Sequence, residues 1–281
     1  MINPRRYGRS PFSVAVIHGG PGAGGEMAEV AVELGSGRGI LEPLQTARSL
    51  PAQVEELKGL LEQSAQLPVT LIGFSWGAWL SFILAARYPA MVKKLVLIGC
   101  GPFEDRYVPA IMQTRLSRLS EGERRQVAGI LEILNGPDKG DREKNNKKNR
   151  AFHRLGELLS KADAFDPIKP EKPQAAYPTC RADSADSADS ADGADIYQSV
   201  WKDASLLRQT GELLQLGEKI SCPVVAMHGD WDPHPAEGVR EPLQAVLKSF
   251  QFILLEECGH KPWMERRAKD KFYSLLKEVI R

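Results

Sequence analysis

The stretch LPVTLIGFSWGAWLSFILAA, residues 67–86, is uncharged and about as long as a bilayer-crossing helix requires. Its own punctuation divides it in two. VTLIGF, residues 69–74, is β-branched and apolar, as suits a short buried strand, whereas the residues from Ala78 onward are helix formers. Between them GFSWG, residues 73–77, fits the pattern G-x-S-x-G. A serine on a sharp strand-to-helix turn sits in strained backbone geometry, and the residues two positions away must be small for strand and helix to approach. Gly73 and Gly77 meet that demand, and the following helix aims its positive end at Ser75. The segment therefore reads as strand, turn and helix, not as a membrane span.

Working outward, similar apolar runs recur at 12–20, 39–44, 94–101, 222–230 and 251–260. None alternates cleanly with polar residues, which suits parallel strands buried on both faces. Helical patterns separate them at 25–35, 50–64, 77–89, 236–250 and 266–280. This rhythm predicts an α/β fold: a mostly parallel sheet of about six strands with helices on both faces. It breaks over residues 103–217, where amphipathic patterns (VPAIMQTRLSRLS, RRQVAGILEILNG) and a charged stretch predict a helical cap inserted into a core made of 1–102 and 218–281. The basic run KNNKKNR, residues 144–150, lacks interleaved aromatics and reads as a solvated helix face. RADSADSADSADGAD, residues 181–195, has no apolar side chain larger than alanine to bury and is expected to form an unstructured surface loop.

Composition narrows the function classes. Lys and Arg total 37 against 36 Asp and Glu, so no global field draws nucleic acid or an anionic membrane. Cys100, Cys180, Cys222 and Cys258 lie far apart without CxxC spacing, which predicts free thiols. The first apolar run is too short for a secretory signal, and a cytoplasmic location is expected.

Three further constellations sit at strand ends. HGGPG, residues 18–22, is a glycine-rich turn whose backbone N–H groups are free to meet an anion. A phosphate loop would need lysine and a hydroxyl where Glu26 begins, so an oxyanion hole is the better reading, with one N–H from this loop and one from Trp76. HGDWDPH, residues 228–234, invites a metal reading through His228, Asp230, Asp232 and His234, but Gly229 and Pro233 predict a turn that scatters them, and no metal is expected. An acid at this strand end would instead orient a histidine. CGHKPWMER, residues 258–266, offers that histidine as His260 on a loop.

Serine, acid and histidine in this chain order, with a helical insertion between serine and acid, resemble the α/β-hydrolase fold family over nearly the whole chain. The resemblance implies Ser75 as nucleophile, Asp232 as acid, His260 as base, and Gly20 and Trp76 as oxyanion-hole donors. The family spacing Gly-x-x-Asp selects Asp232 over Asp230. The activity implied is hydrolysis of an ester or amide of a small molecule through an acyl-enzyme, with no cofactor. Only about eleven residues precede the first apolar run, so the family's N-terminal antiparallel hairpin is expected to be missing. HGGPG also resembles proline iminopeptidases, but their elbow reads GGSWG where this chain has Phe74. A non-catalytic ligand-binding relative is the other alternative. Neither substrate identity nor oligomeric state follows from the sequence.

Overall fold

A computed structural model describes residues 3–21, 24–136, 142–168 and 193–281. Among these, the apolar runs form six parallel strands: β2 (Phe12–Ile17), β3 (Gly39–Glu42), β4 (Val69–Phe74), β5 (Val92–Ile98), β6 (Val224–Gly229) and β7 (Phe250–Leu255). A seventh, β1 (Arg5–Tyr7), runs antiparallel along β3, and the order across the sheet is β1-β3-β2-β4-β5-β6-β7. The expected sheet thus gains one edge strand from the residues judged too few to supply any. Polar contacts hold it: Tyr7 O–H donates to Glu42 at 2.7 Å and the Arg5 guanidinium lies 3.5 Å from the same carboxylate. A hydrophobic pattern does not register such a strand.

Side chains along the central strands alternate between two cores. Ile17, Leu71, Leu97 and Ala226 face one, while Val16, Ile72, Val96 and Val225 face the other. Both faces are buried, which is why these strands read as continuous apolar runs. In chain order the helices are α1 (Ala28–Gly35), α2 (Leu50–Ser64), α3 (Trp76–Arg87), α4 (Val108–Ser117), α5 (Glu121–Asn135), α6 (Arg142–Asp163), α7 (Gly193–Gln209), α8 (Glu212–Gln215), α9 (Glu237–Val246) and α10 (Lys269–Val279). Helices α2, α3 and α9 cover the first face, and α1 and α10 the second. Ser49 caps α2 by accepting the Ala52 N–H, with Pro51 in the first turn where no helical N–H is needed.

Helices α4 to α8 lie between β5 and β6, in the stretch expected to form the cap. There α5 and α6 share a small core that includes Val127, Ile130 and Leu158, whereas α7 inserts Val200 and Ala204 into the main core. Residues 181–192 of the Ser-Ala-Asp repeat lie outside the described residues, and residues 193–195 open α7 and are not loop. Cys100 and Cys258 are buried free thiols and Cys222 is a half-buried one; Cys180 lies outside the described residues. Among the described residues no helix is long and apolar enough to cross a membrane.

Strand order reverses beside β2, which pairs with β3 on one side and β4 on the other. Open α/β sheets bind ligands at such a switch point, beyond the carboxyl ends of the strands. The ends of β2 and β4, where Ile17 pairs with Gly73, carry the HGGPG loop and Ser75.

Candidate active site

Ser75 lies between β4 and α3 with φ +50° and ψ −113°, a conformation that non-glycine residues rarely adopt. Its N–H donates to the Ile98 carbonyl at 2.9 Å, tying the turn to the end of β5. The flanking glycines are required by contact. A Cβ on Gly73 would stand 2.3 Å from the Gly77 carbonyl oxygen, and one on Gly77 would stand 2.4 Å from the Ile17 oxygen. Trp76 opens α3, so its N–H is one of the donors that the helix itself leaves unused. Its buried indole N–H donates to Gln53 of α2 at 3.2 Å.

The loop after β2 is held by His18, which the sequence reading did not single out. Its Nδ1 lies 2.7 Å from the Gly19 carbonyl oxygen, and its Nε2 accepts the Gln45 N–H at 3.2 Å. That pairing demands a neutral ring protonated on Nδ1. Burial lowers the pKa of His18 and keeps it neutral. Gly20 follows with φ +46°, turning the backbone at the position assigned to the oxyanion hole. Gly22 lies outside the described residues.

The turn after β6 gathers its histidines instead of scattering them. Asp232 is buried, and its Oδ2 lies 2.7 Å from His260 Nδ1. Its Oδ1 receives the His234 backbone N–H at 2.9 Å and lies 2.7 Å from His234 Nδ1. His228 Nε2 stands 3.7 Å from Oδ2 and donates to the His234 carbonyl at 2.8 Å. The scattering expectation failed because Pro233 folds the chain back, so the N–H and imidazole of His234 reach the same oxygen. Burial disfavours the Asp232 charge, but the three surrounding imidazoles outweigh it and hold the carboxyl well below its usual range. Asp230 points elsewhere and accepts the Cys258 N–H at 3.1 Å.

Asp232, His234 and His260 offer ligand atoms within 4.8 Å of one another. Two ligands of one tetrahedral ion with bonds of about 2.0–2.2 Å stand about 3.3 Å or more apart. The 2.7 Å contacts here are hydrogen-bond distances, and they engage both carboxylate oxygens.

His260 packs over Gly99, whose φ is +50° and where a Cβ would stand 3.1 Å from Nδ1; the Phe74 ring lies 4.8 Å from the imidazole. The residue next to Ser75 therefore touches His260. Among the described residues the Ser75 hydroxyl has no hydrogen-bond partner, so the acid–histidine pair is closed while the serine side is open. A cavity of about 500 Å³ beside His260 is walled by Glu26, Ser160, Lys261, Trp263 and Met264, and Ser75 is not in its wall. Lys261 and Glu26 pair across it at 2.7 Å. Burial works against the Glu26 charge, but Lys261 overcomes it and lowers the pKa.

An aromatic stack joins core to cap. Trp201 of α7 lies parallel to Trp79 of α3 at 5.6 Å and to Tyr197 at 5.9 Å, and Phe152 of α6 continues the row. Trp76 meets the same Trp201 at 6.4 Å. The sequence offered no sign of this contact, since it joins residues more than 100 positions apart.

Residues 13–266 match the model of the alpha/beta hydrolase fold family, and the chain belongs to that family. It is accordingly a hydrolase-type protein of this superfamily. No curated protein matches it significantly. Among solved structures it resembles VinJ (TM-score 0.67, 15% identity, covering 99% of this chain and 93% of that one) and epoxide hydrolase CorEH (0.64, 16%, 98% and 94%). Proline iminopeptidase from Mycobacterium smegmatis is similar as well (0.62, 16%, 99% and 93%). At these identities the likeness is one of fold.

Proposed function

We propose that the chain is a serine hydrolase that cleaves an ester or amide bond of a small molecule through an acyl-enzyme on Ser75. The observations that carry this reading are the buried Asp232–His260 contact at 2.7 Å and the positive-φ serine on a strand-to-helix turn, whose neighbour Phe74 packs against His260. Engaging Nδ1 with Asp232 leaves Nε2 of His260 as the basic nitrogen. As Ser75 Oγ attacks the carbonyl carbon, its proton passes to Nε2, and the backbone N–H groups of Gly20 and Trp76 receive the negative oxygen. His260 then gives the proton to the leaving alcohol or amine as that bond breaks. Water, deprotonated by the same nitrogen, attacks the acyl carbon and releases the acid and Ser75.

A fluorophosphonate probe tests the assignment. Wild type is expected to be labelled on Ser75, and Ser75→Ala is expected to resist labelling and to lose turnover of p-nitrophenyl esters. An unlabelled wild type would favour a ligand-binding protein on the same fold. Aminoacyl-naphthylamide turnover exceeding ester turnover would favour an iminopeptidase-like aminopeptidase.

A further inference from the structure

Glu265 is 1% exposed, although it is a carboxylate five residues from His260. Three backbone N–H groups satisfy it: Oε1 accepts from Gly259 at 3.1 Å and Phe165 at 2.9 Å, and Oε2 accepts from Asp166 at 2.7 Å. Gly259 belongs to the His260 loop, whereas Phe165 and Asp166 belong to the segment leaving α6 in the cap. Around Glu265 the two segments run side by side. His260 N–H donates to the Asp163 carbonyl at 2.9 Å, Ile168 N–H to Met264 at 2.7 Å and Arg266 N–H to Asp166 at 3.0 Å. Gly259 admits no side chain there, since a Cβ would lie 2.2 Å from the Asp163 oxygen and 2.4 Å from Glu265 Oε1. Arg115 of α4 fixes the far side, gripping both Asp163 carboxylate oxygens at 2.7 Å.

We infer that Glu265 is a positioning residue for His260, acting by clamping residues 163–168 of the cap to the loop that carries the imidazole. The N–H groups of two consecutive residues, Gly259 and His260, are thereby fixed, one by the Glu265 carboxylate and one by the Asp163 carbonyl of the cap. Cap and base move together, so a displaced cap misplaces His260. The inference rests on the role proposed above for His260. An ionised carboxylate only accepts hydrogen bonds, and each of its bonds to N–H is charge-assisted. Glutamine keeps the shape but must turn an NH₂ toward at least one N–H, so Glu265→Gln loosens the clamp without opening a void.

The experiment compares wild type, Glu265→Gln and Arg115→Lys, which weakens the same segment from its other side. Active sites are counted by fluorophosphonate titration, and the low-field proton resonance of His260 Nδ1–H, assigned with His260→Ala, reports its bond to Asp232. For Glu265→Gln we expect kcat per titrated site to fall about tenfold or more, as small misplacements of catalytic groups do. KM should stay within about twofold, and the resonance should broaden or shift. Arg115→Lys should change both in the same direction by less. Folded variants with wild-type kcat and resonance overturn the inference, as does lost thermal stability with an unmoved resonance. If Glu265→Gln does not fold, Arg115→Lys alone decides by the same readouts. The resonance needs no turnover, so failure of the serine-hydrolase reading, seen as an unlabelled wild type, stays distinct from failure of the clamp.

Discussion

Asp232 is the residue on which the proposed chemistry turns, and its surroundings are more elaborate than a single histidine partner. His234 binds Oδ1 with both its backbone N–H and its ring, so the carboxylate is pinned before His260 uses the other oxygen. Removing a donor from a buried charged group costs about 1.5–3 kcal/mol. His234→Ala should therefore lower stability by about that amount in urea titrations, while His234→Asn, whose side-chain amide offers an N–H near the position of Nδ1, should lose less than half as much. The places of Ser75, Asp232 and His260 just past strand ends were legible in the sequence because each sits in a short motif at the end of an apolar run. His18 and Glu265 were not legible as positioning groups, since their partners are backbone atoms brought together only by folding, and His234 was missed because the turn at Pro233 was expected to aim it away from Asp232.

Among the secondary-structure elements, the parallel strands and their flanking helices followed the apolar runs closely, and α2 occupies the expected residues 50–64. Strand β1 escaped notice because ion pairing and hydrogen bonding, not apolar burial, hold it. Glycine in the helices separates two kinds of constraint. Gly59 lies inside α2 with open space where a Cβ would point, so Gly59→Ala should stabilise the protein by about 0.5–1 kcal/mol through helix propensity alone. Gly77 lies in α3 against the Ile17 and His18 carbonyl oxygens, at 2.4 and 2.5 Å from a built Cβ. Gly77→Ala must push backbone apart, and a loss of about 3 kcal/mol or more is expected. Denaturant midpoints of the two variants, moving in opposite directions, check the pair.

For the whole molecule, buried histidines set how stability follows pH. Burial lowers His18 and His234 below the ordinary 6.5, in the latter case against the opposing pull of Asp232. Above pH 6.5 both folded and unfolded states hold these rings neutral, and the stability is fully present. As pH falls below 6.5 the unfolded chain takes up protons that the folded one refuses, so stability declines by up to about 1.4 kcal/mol per pH unit for each ring. Asp232, held below its ordinary 3.8, adds a further loss only under that pH. Thermal unfolding between pH 7.5 and 5 should show this fall, and His18→Gln should reduce its slope. The parallel stack of Trp79 on Trp201 has an optical consequence. Of the five tryptophans, these two bridge core and cap at 5.6 Å, close enough for their transition dipoles to couple. The near-ultraviolet dichroism of the protein therefore carries a signal that reports whether α7 is seated on α3.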